Sequence, residues 1–346
     1  MRILLISPLS PPIGGIAVWT ELYRSYMSDN RNIVDIVNTA VIGKRKKEVS
    51  KVNLFEELVR ALRIFINTIK FLYKHKYDVI HFNISCERNG LIRDNIIFSI
   101  ISHTNSKIVL HCHCNIENAI YKYSKLFQNM LNRSTAVFVL NKASKDYLYR
   151  EYNIESIIVP NFINNVYKMF AKHAKLNKPT IETILYVGHI QSSKGCDTII
   201  KVARYFPKIK FRLVGHLYPE IRKITKPSNI ILVGEVSREN IINEYKMADI
   251  FIFPSHTEGF PLAVLEAMSF GLPIIATRVG AIPDMLEEKG GIFVSIDDVN
   301  DVRRAIDAID SVQIRKKMSE FNQQKVLSSY CIDKVLDKIC DSYKSK

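Results

Sequence analysis

Residues 250–276 read IFIFPSHTEGFPLAVLEAMSFGLPIIA. The segment begins with an apolar run at residues 250–253 and ends with another at residues 273–276, and both have the length of a strand. Between them lies a helical pattern that Pro261 can begin, because its fixed φ suits the first helical turn. Strands that are apolar on both faces and separated by helices indicate a parallel sheet covered on both sides. The segment therefore predicts one repeat of a doubly wound α/β fold.

The same alternation of short apolar runs and helical patterns extends along the whole chain. It lapses across residues 161–180, a polar stretch, and then resumes. A chain of 346 residues exceeds the usual size of one hydrophobic core, so we predict two similar α/β domains joined near residue 165. The strand candidates are residues 2–7, 33–38, 78–83, 107–111, 135–140, 156–159, 184–188, 210–215, 230–233, 250–253, 273–276 and 292–295, and the helix candidates of the first half include residues 17–28, 54–74 and 117–131.

The chain carries a formal net charge of +15. Such a charge suits nucleic acid, an anionic membrane surface or a phosphorylated substrate. Lysines and arginines are spread over the chain, and the densest cluster is KRKK at residues 44–47, in an expected loop. Because we find no zinc-finger spacing, aromatic-basic repeat or similar motif, we expect no nucleic-acid partner.

The cysteines and the first residues both favour the cytoplasm. Six scattered cysteines form no C-x-x-C pair, which is typical of reduced thiols in a reducing compartment. No apolar run approaches the roughly 18 to 20 residues that cross a bilayer, and Met1 leads into a strand-like segment instead of a signal peptide. We expect a cytoplasmic protein, with peripheral attachment to the inner face of a membrane as an alternative.

The run HCHC at residues 111–114 has the composition of a metal site. If it continues the strand from Lys107, the histidines share one face and the cysteines the other, so we expect no four-ligand site. His111 and His113 end the fourth strand candidate and would face the ligand crevice of a parallel sheet. Each is a candidate catalytic or substrate-contacting residue, and a structural histidine is the alternative.

Residues 53–76 form a predicted amphipathic helix. We expect its apolar face to pack on the sheet, and the alternative is that its basic face rests on an anionic membrane. The apolar positions are Phe55, Leu58, Val59, Leu62, Ile66 and Ile69, and the opposite face carries Glu56, Arg60, Arg63, Asn67, Lys70 and Lys74.

Loops that follow strands are the first candidates for a site, because ligands of open parallel sheets bind at the carboxyl ends of strands. After the first strand, Gly14 and Gly15 precede a helix and would let a phosphate or sugar approach the backbone, unless they only form a tight turn. After the strand TILYVG, Gly188 allows a close approach, and Lys194 and His189 are candidates to neutralise a diphosphate. An ordinary surface lysine is the alternative.

The quoted segment carries the most informative candidates. Glu258 precedes the helix and Glu266 lies inside it among apolar residues, where an ionised carboxylate needs a partner such as ribose hydroxyls or a neighbouring lysine or arginine. If helical throughout, the spacing separates them by about 12 Å, too far for a hydrolytic pair but suited to an extended ligand. The backbone amides of Gly259, Phe260 and Leu262 form a candidate anion site at the start of the helix.

The stretch VGEVSRENIINEYKMADIFIFPSHTEGFPLAVLEAMSFGLPIIATRVGAIPDML, residues 233–286, closely resembles the signature region of glycosyltransferase family 4, including its E-x7-E element at Glu258 and Glu266. The further matches follow the family's order and span nearly the whole chain. They are PPIGGIA at residues 11–17, LHCHC at 110–114, IIVPNFIN at 157–164 and VGHIQSSKG at 187–195.

This resemblance implies the GT-B fold, an α/β architecture of two doubly wound, Rossmann-like domains facing across a cleft. The N-terminal, acceptor-side domain is expected at residues 1–164 and the nucleotide-sugar-binding domain at residues 165–327. A final helix within residues 328–346 would cross back to the first domain. The resemblance also implies a retaining sugar transfer from a nucleotide diphosphate sugar that needs no metal or other cofactor.

The resemblance also assigns roles on the donor side. It implies that Glu266 binds the ribose, Glu258 contacts the donor sugar, Lys194 stabilises the leaving diphosphate and Gly15 lies near the phosphates. Preorganised cations and amides can stabilise the departing negative charge without a metal.

Three histidines complete the implied site. His113 matches the family's cleft histidine best, and His111 is the second choice. His189 stands where the family usually has an arginine. A histidine is shorter and only partly charged near neutrality, so Lys194 must carry more of the load unless another cation helps.

The sequence therefore predicts a hexosyltransferase-type enzyme with a nucleotide diphosphate sugar as donor, UDP favoured over GDP. The expected acceptor is a glycan or a lipid-linked sugar in surface polysaccharide biosynthesis. Two alternatives stay open. One is a non-catalytic protein that binds sugar nucleotides or polyanions, and the other is a sugar-nucleotide epimerase of GT-B fold, which needs no acceptor.

Overall fold

The computed structural model describes residues 1–11, 15–41, 54–85, 88–119, 124–173 and 178–344. The chain divides into two compact units, of which unit 1 comprises Met1–Asn161 with Asp333–Lys346 and unit 2 comprises Phe162–Ile332. The domain limits expected from the sequence were residues 1–164 with residues 328–346, and residues 165–327. KRKK at residues 44–47 and Gly14 fall outside the described residues.

Unit 1 is built on a six-stranded parallel sheet with the order β2-β1-β3-β4-β5-β6. Because β1 lies between β2 and β3, the strand order reverses direction between β1 and β3, where ligands of doubly wound sheets bind. The strands are β1 Arg2–Ser7, β2 Ile33–Asn38, β3 Val79–Ile84, β4 Lys107–Cys112, β5 Ala136–Val139 and β6 Ile157–Ile158.

Helices cover the sheet of unit 1 and enclose a core that includes the fully buried rings of Phe82, Phe98 and Phe127. The helices are α1 Gly15–Asp29, α2 Leu54–Lys74, α3 Arg88–Ile101, α4 Ile116–Ala119, α5 Ser124–Asn132 and α6 Lys142–Tyr152. The single helix predicted at residues 117–131 is thus described as two helices, with residues 120–123 outside the described ranges.

The orientation of α2 differs from the prediction. All six apolar side chains expected to pack on the sheet are exposed, from Phe55 at 70% to Ile69 at 43%. The helix packs through a third side, which carries the fully buried Ile64 and Thr68. Arg60 and Arg63, predicted to face outwards, are half-buried, and their guanidinium groups donate hydrogen bonds to the carbonyls of Thr39 and Ala40 just beyond β2. The expectation that the apolar stripe covers the sheet is therefore wrong.

Unit 2 repeats the architecture with a second six-stranded parallel sheet, in the order β12-β11-β10-β7-β8-β9. The strand order reverses between β7 and β10, so the loops after these two strands emerge side by side. The strands are β7 Thr183–Val187, β8 Lys210–Val214, β9 Ile230–Gly234, β10 Ile250–Phe253, β11 Ile274–Thr277 and β12 Gly291–Val294.

The helices of unit 2 begin earlier than the sequence suggested. Residues 161–180 were expected to be a linker, but Asn164 caps a helix there by accepting from the amides of Val166 and Tyr167. The helices are α7 Asn165–Ala171, α8 Cys196–Ala203, α9 Pro219–Arg222, α10 Arg238–Met247, α11 Leu262–Ser269, α12 Ile282–Leu286, α13 Val299–Ala308 and α14 Val312–Ser329, and α15 Ile332–Lys344 follows at the end of the chain.

The last helix is held in unit 1 by its final turn. The Tyr343 hydroxyl lies 2.7 Å from that of Tyr23 in α1 and is hydrogen-bonded to Nδ1 of His81 in β3. All three side chains are buried, so these polar contacts tie α15 to the interior of unit 1.

The cysteines are only partly as expected. Cys112, Cys196, Cys331 and Cys340 are free thiols. Cys114, however, is disulfide-bonded, so the prediction of reduced thiols is wrong at that position. Of the helices in the described ranges, none is both long and apolar enough to cross a bilayer.

Candidate active site

Lys194 and Glu258 meet at the point where the sheet of unit 2 reverses its strand order. Lys194 ends the 3-10 turn Ser192–Lys194 after β7, and Glu258 lies in the loop after β10. Nζ of Lys194 is 2.6 Å from Oε1 of Glu258, and the two side chains are 25% and 13% exposed. A cation and a carboxylate that are both partly accessible can exchange this contact for contacts with a ligand.

Ser255 positions the Glu258 carboxylate through a hydrogen bond. Its buried hydroxyl donates a hydrogen bond of 2.8 Å to the same Oε1 that Lys194 contacts. The hydroxyl of Thr277, at the end of β11, in turn donates to the Ser255 carbonyl. Neither residue was predicted, although both lie at strand ends, which is the signal that identified the other candidates.

Two glycines allow three loops to approach each other at this edge of the sheet. A Cβ atom on Gly195 would lie 2.2 Å from the Pro254 carbonyl oxygen, and one on Gly280 would lie 2.2 Å from that of Glu258. Both residues have positive φ, +70° and +56°. The loops after β7, β10 and β11 are thereby fixed against one another, with Lys194 and Glu258 in their midst.

The loop after β10 leads into α11. Pro261 caps α11, and Leu262 is its first residue. Glu258 and Gly259 precede the helix in non-helical backbone, so the helical separation of about 12 Å assumed for the two glutamates does not apply. The Gly259 carbonyl accepts from the Ala281 amide at 2.9 Å.

The side chain of Phe260 is buried and packs edge-on against the ring of Tyr330 at 5.5 Å between centroids. This packing fixes the backbone between Gly259 and Leu262. The amides of this segment stay a prediction as an anion site.

Glu266 lies in α11 and is half-buried. The hydroxyl of Tyr245, in α10, donates to its Oε2 at 2.9 Å. Tyr245 is fully buried, and its ring stacks on Phe270 at 5.2 Å. The partners expected for this carboxylate were ribose hydroxyls or a cation, and Tyr245, 21 residues earlier in the chain, was not predicted.

His189 is exposed beside the lysine loop, and its ring stacks on Tyr218. Nδ1 of His189 lies 3.0 Å from the Tyr218 hydroxyl. Desolvation of the ring lowers the pKa of His189, and the charges of Lys194 and His216 lower it further. The imidazole is therefore mainly neutral at pH 7, and Lys194 is the cation that faces Glu258. Gly188, just before His189, is half-buried and donates its N–H to the Val214 carbonyl.

The candidates of unit 1 lie at the carboxyl ends of its strands. Gly15 is exposed and is the first residue of α1. His111, in β4, is fully buried, so the expectation that it faces an open crevice is wrong. His113 follows the strand and is half-buried, and its ring lies 3.9 Å from that of His111, as expected for side chains on one face.

A third histidine, missed from the sequence, joins this cluster. Nε2 of His81, in β3, lies 3.2 Å from Nδ1 of His111. Burial lowers the pKa of His81 and of His113 to about 3, and it lowers the pKa of His111 well below its usual range. Nε2 of His113 is buried and has no hydrogen-bond partner within the part of the chain that the structure describes.

No cluster resembling a metal site accompanies these residues. Within the described ranges, no three histidine, cysteine, aspartate or glutamate side chains come together in a way that could hold a metal ion. The HCHC run at residues 111–114 was expected not to form a four-ligand site on the grounds of strand geometry.

Two doubly wound units with parallel six-stranded sheets define the GT-B class of fold. Residues 168–325 match the family model described as glycosyl transferases group 1. This region contains Lys194, Glu258 and Glu266, and the match supports assignment to the glycosyltransferase superfamily.

Among curated relatives, an uncharacterized 41.2 kDa protein in the cps region of Klebsiella pneumoniae is 24% identical over 270 residues, which cover 71% of this chain and 73% of that protein. A UDP-Gal:alpha-D-GlcNAc-diphosphoundecaprenol alpha-1,3-galactosyltransferase of Escherichia coli is 24% identical over 319 residues, which cover 83% and 80%. The family match and the names of such relatives indicate an enzyme of the hexosyltransferase type.

Solved structures show the same fold. Sucrose-phosphate synthase from Thermosynechococcus elongatus superposes with a TM-score of 0.81 at 16% identity, covering 99% of this chain and 98% of that one. The Anabaena protein HepE in complex with UDP-glucose superposes with a TM-score of 0.72 at 15% identity, covering 100% of both chains.

Proposed function

We propose that the protein is a retaining glycosyltransferase that moves a sugar from a nucleotide diphosphate sugar, with UDP as the favoured nucleotide, to a glycan or lipid-linked acceptor. The observation that carries this proposal is the Lys194–Glu258 contact at the strand-order reversal of unit 2. The group 1 match over residues 168–325 supports it, because that region contains both residues.

Lys194 would stabilise the leaving diphosphate. When the bond between the anomeric carbon and the phosphate oxygen breaks, negative charge develops on the departing nucleotide, and a preorganised cation in a partly buried site stabilises it strongly. Lys194 is already oriented by Glu258 and by the carbonyl of Thr257, at 3.5 Å. The mainly neutral His189 adds little positive charge, so Lys194 would provide most of the stabilisation of the leaving diphosphate.

Glu258 would contact hydroxyl groups of the donor sugar, next to the diphosphate. Its Oε1 is shared by Lys194 and Ser255, and Oε2 is the atom that a sugar hydroxyl would approach. Glu266 would accept hydrogen bonds from ribose hydroxyls, with Tyr245 holding the carboxylate in place. The amides of Gly259, Phe260 and Leu262 would approach the phosphates near the start of α11.

In the proposed reaction, the acceptor hydroxyl oxygen forms the new bond to the anomeric carbon on the face that the nucleotide leaves. Its proton passes to the departing β-phosphate oxygen, so atoms and charges balance without a further reagent. His113 and Gly15 are the proposed contacts from unit 1, and His111 would support His113 from the interior. Metal independence is part of the proposal, and transfer should survive EDTA.

The relatives suggest the pathway and the acceptor. The Escherichia coli relative is named for a diphosphoundecaprenol-linked acceptor, and the Klebsiella pneumoniae relative for a cps region. We infer that this chain acts on a related lipid-linked or glycan acceptor in surface polysaccharide biosynthesis, at the cytoplasmic side of a membrane. UDP is preferred because HepE was solved with UDP-glucose.

A thermal-shift panel of UDP, GDP and ADP, followed by their sugars, would identify the donor. In a transfer assay with that donor, the kcat of Lys194→Ala should be at least a hundredfold below that of wild type, which is the effect of removing one group that stabilises transition-state charge. Lys201→Ala is the matched control, since Lys201 is an exposed lysine of the adjacent α8 paired with Asp197.

The same assay separates the alternatives. Stabilisation by a sugar nucleotide without transfer to any acceptor or slow donor hydrolysis would favour a binding protein. Conversion of the donor to another sugar nucleotide in the absence of acceptor would favour an epimerase. Equal transfer by Lys194→Ala and wild type would contradict the assigned role of the lysine.

A further inference from the structure

Helix α2 presents a continuous apolar stripe to solvent. Val59, Leu62, Ile66, Ile69 and Tyr73 recur at alternating intervals of three and four residues, so their side chains lie along one face. All are exposed, with Ile66 at 60% and Tyr73 at 94%. A stripe of this length is unusual on the surface of a folded domain, where large apolar patches mark interaction sites.

The stripe is not the face with which α2 packs in unit 1. Ile64 and Thr68 are fully buried, and Phe71 packs against the core on the same side. Arg60 and Arg63 secure that side through the carbonyls beyond β2. The exposed stripe is therefore free to meet a partner without any change in the fold.

A neighbouring helix widens the apolar surface. Ile92 and Ile96 of α3 are also exposed, at 40% and 53%. Between the helices lies a groove of about 220 Å³, lined by Leu58, Ala61, Leu62, Phe65, Arg93, Ile96 and Ile97. We call the stripe, the groove and the exposed isoleucines of α3 the α2–α3 face.

From residue 58 to residue 77, the charged residues on and after α2 are lysines and arginines. This segment contains no acidic residue, and its basic residues are three lysines besides Arg60 and Arg63, which secure the packed side. Lys70, Lys74 and Lys76 are exposed and follow the apolar stripe towards its end. Apolar side chains flanked by lysines match the boundary of an anionic bilayer, where acyl chains lie next to phosphate groups.

We propose that the α2–α3 face docks the protein onto an anionic lipid bilayer. Helix α2 lies in the plane of the membrane, with Leu62 and Ile66 among the upper acyl chains and the lysines on headgroup phosphates. The exposed ring of Tyr73 lies at the interface, which aromatic side chains with a polar end favour. This contact reverses the orientation considered from the sequence, in which the basic face alone touched the membrane.

The inference does not rest on the proposed function, because it concerns a surface of unit 1 and is tested without any sugar donor. Full-length protein is mixed with vesicles of phosphatidylcholine containing about one third phosphatidylglycerol, and the bound fraction is measured by co-sedimentation. Burial of each large apolar side chain favours binding by roughly tenfold or more. Leu62→Gln/Ile66→Gln should therefore bind at least tenfold more weakly than wild type.

The matched control is Tyr149→Gln/Met169→Gln, which removes two exposed apolar side chains elsewhere and should bind like wild type. Lys70→Ser/Lys74→Ser should lose several-fold of its binding to the anionic vesicles, as should wild type in about 0.5 M salt. Circular dichroism and thermal unfolding verify that each variant is folded.

Three outcomes would overturn the proposal. The first is wild type that stays in the supernatant with the anionic vesicles at low salt, and the second is Leu62→Gln/Ile66→Gln that binds these vesicles as well as wild type. The third is a wild-type dimer in analytical ultracentrifugation that this variant dissociates, which would make the α2–α3 face a contact between two copies of the chain.

Discussion

Ser255 and Lys194 contact the same oxygen atom of Glu258, the hydroxyl at 2.8 Å and the ammonium group at 2.6 Å. The carboxylate is therefore held on one side by a buried group and on the other by a partly exposed cation. Such an arrangement leaves the second carboxylate oxygen, Oε2, as the atom presented to a ligand. The orientation of Glu258 should depend on Ser255 as much as on Lys194.

Ser255→Ala should reduce sugar transfer by about tenfold to a hundredfold. The change removes one hydrogen bond to a charged acceptor, which contributes about 1.5 to 3 kcal/mol. The loop should stay in place, because Thr277 donates to the Ser255 carbonyl, which alanine retains. Steady-state kinetics with the identified donor would measure the loss. Ser193→Ala, an exposed serine of the same site, is the control, and an equal loss there would contradict the positioning role.

Tyr245→Phe should weaken nucleotide binding by roughly tenfold. The substitution removes the hydroxyl that orients Glu266 while keeping the ring that stacks on Phe270. In calorimetric titrations, the variant should bind the nucleoside diphosphate more weakly than wild type does, but it should bind the free base as well as wild type does. Only the nucleoside diphosphate has ribose hydroxyls. The exposed Tyr205 provides the control Tyr205→Phe. Unchanged affinity in Tyr245→Phe would show that Glu266 does not hold the ribose.

The fold was largely predictable because the sequences of buried parallel strands are short, continuous apolar runs. Residues 250–253 are a strand both in prediction and in the structure, and each of the other eleven candidates overlaps a strand. The break at residues 161–180 was misread, because Asn164 caps a short helix in a polar stretch that has little periodicity of its own. Local capping, not apolar patterning, defines α7.

The failure at α2 has a different cause. The periodicity of residues 53–76 identified the helix, but Ile64, Thr68 and Phe71 form a second row at helical spacing, and the spacing alone cannot tell which row meets the sheet. Arg60 and Arg63 compensate for their burial with carbonyl partners beyond β2, which are distant in the sequence. Tertiary hydrogen bonds of this kind leave no trace in the spacing of apolar residues.

The candidate site was predictable at strand ends and much less so elsewhere. Lys194 and Glu258 were both proposed from loops after strands, and the structure brings them into contact. Tyr245 and His81 were missed because one lies in a helix and the other within a strand. Their importance depends on pairwise contacts, with Glu266 and with His111, that only the folded chain reveals.

Unit 1 should lose stability as the pH falls below about 6.5. Burial lowers the pKa of His81 and of His113 from 6.5 to about 3, so both rings stay neutral in the folded protein while the unfolded chain takes up protons. Because the unfolded state binds more protons, the free energy of unfolding falls by about 1.4 kcal/mol per pH unit for each such histidine. Above about pH 6.5 both states are neutral at these positions and the effect vanishes. Urea unfolding at pH 7.5, 6.5 and 5.5 would measure the slope.

A substitution tests the origin of that slope. His81→Gln should reduce the pH dependence of the free energy of unfolding by about 1.4 kcal/mol per pH unit, the contribution of one histidine, whatever its effect on stability at pH 7.5. His103→Gln serves as the control, because His103 is exposed in the turn after α3. A slope in His81→Gln equal to that of wild type would mean that other groups cause the acid sensitivity.

Gly195→Ala should destabilise the protein more than Gly234→Ala, although both glycines have positive φ. At Gly234, the new Cβ would meet no atom within 4 Å, so only the backbone cost of about 1 to 2 kcal/mol applies. At Gly195, the Cβ would lie 2.2 Å from the Pro254 carbonyl oxygen, and relieving that overlap should cost about 1 to 3 kcal/mol more. Thermal unfolding would measure the difference.

Because the overlap pushes the loop that carries Lys194 away from the loop that carries Glu258, sugar transfer should fall in Gly195→Ala and persist in Gly234→Ala. Equal stability and equal activity of the two variants would contradict the close approach of these loops.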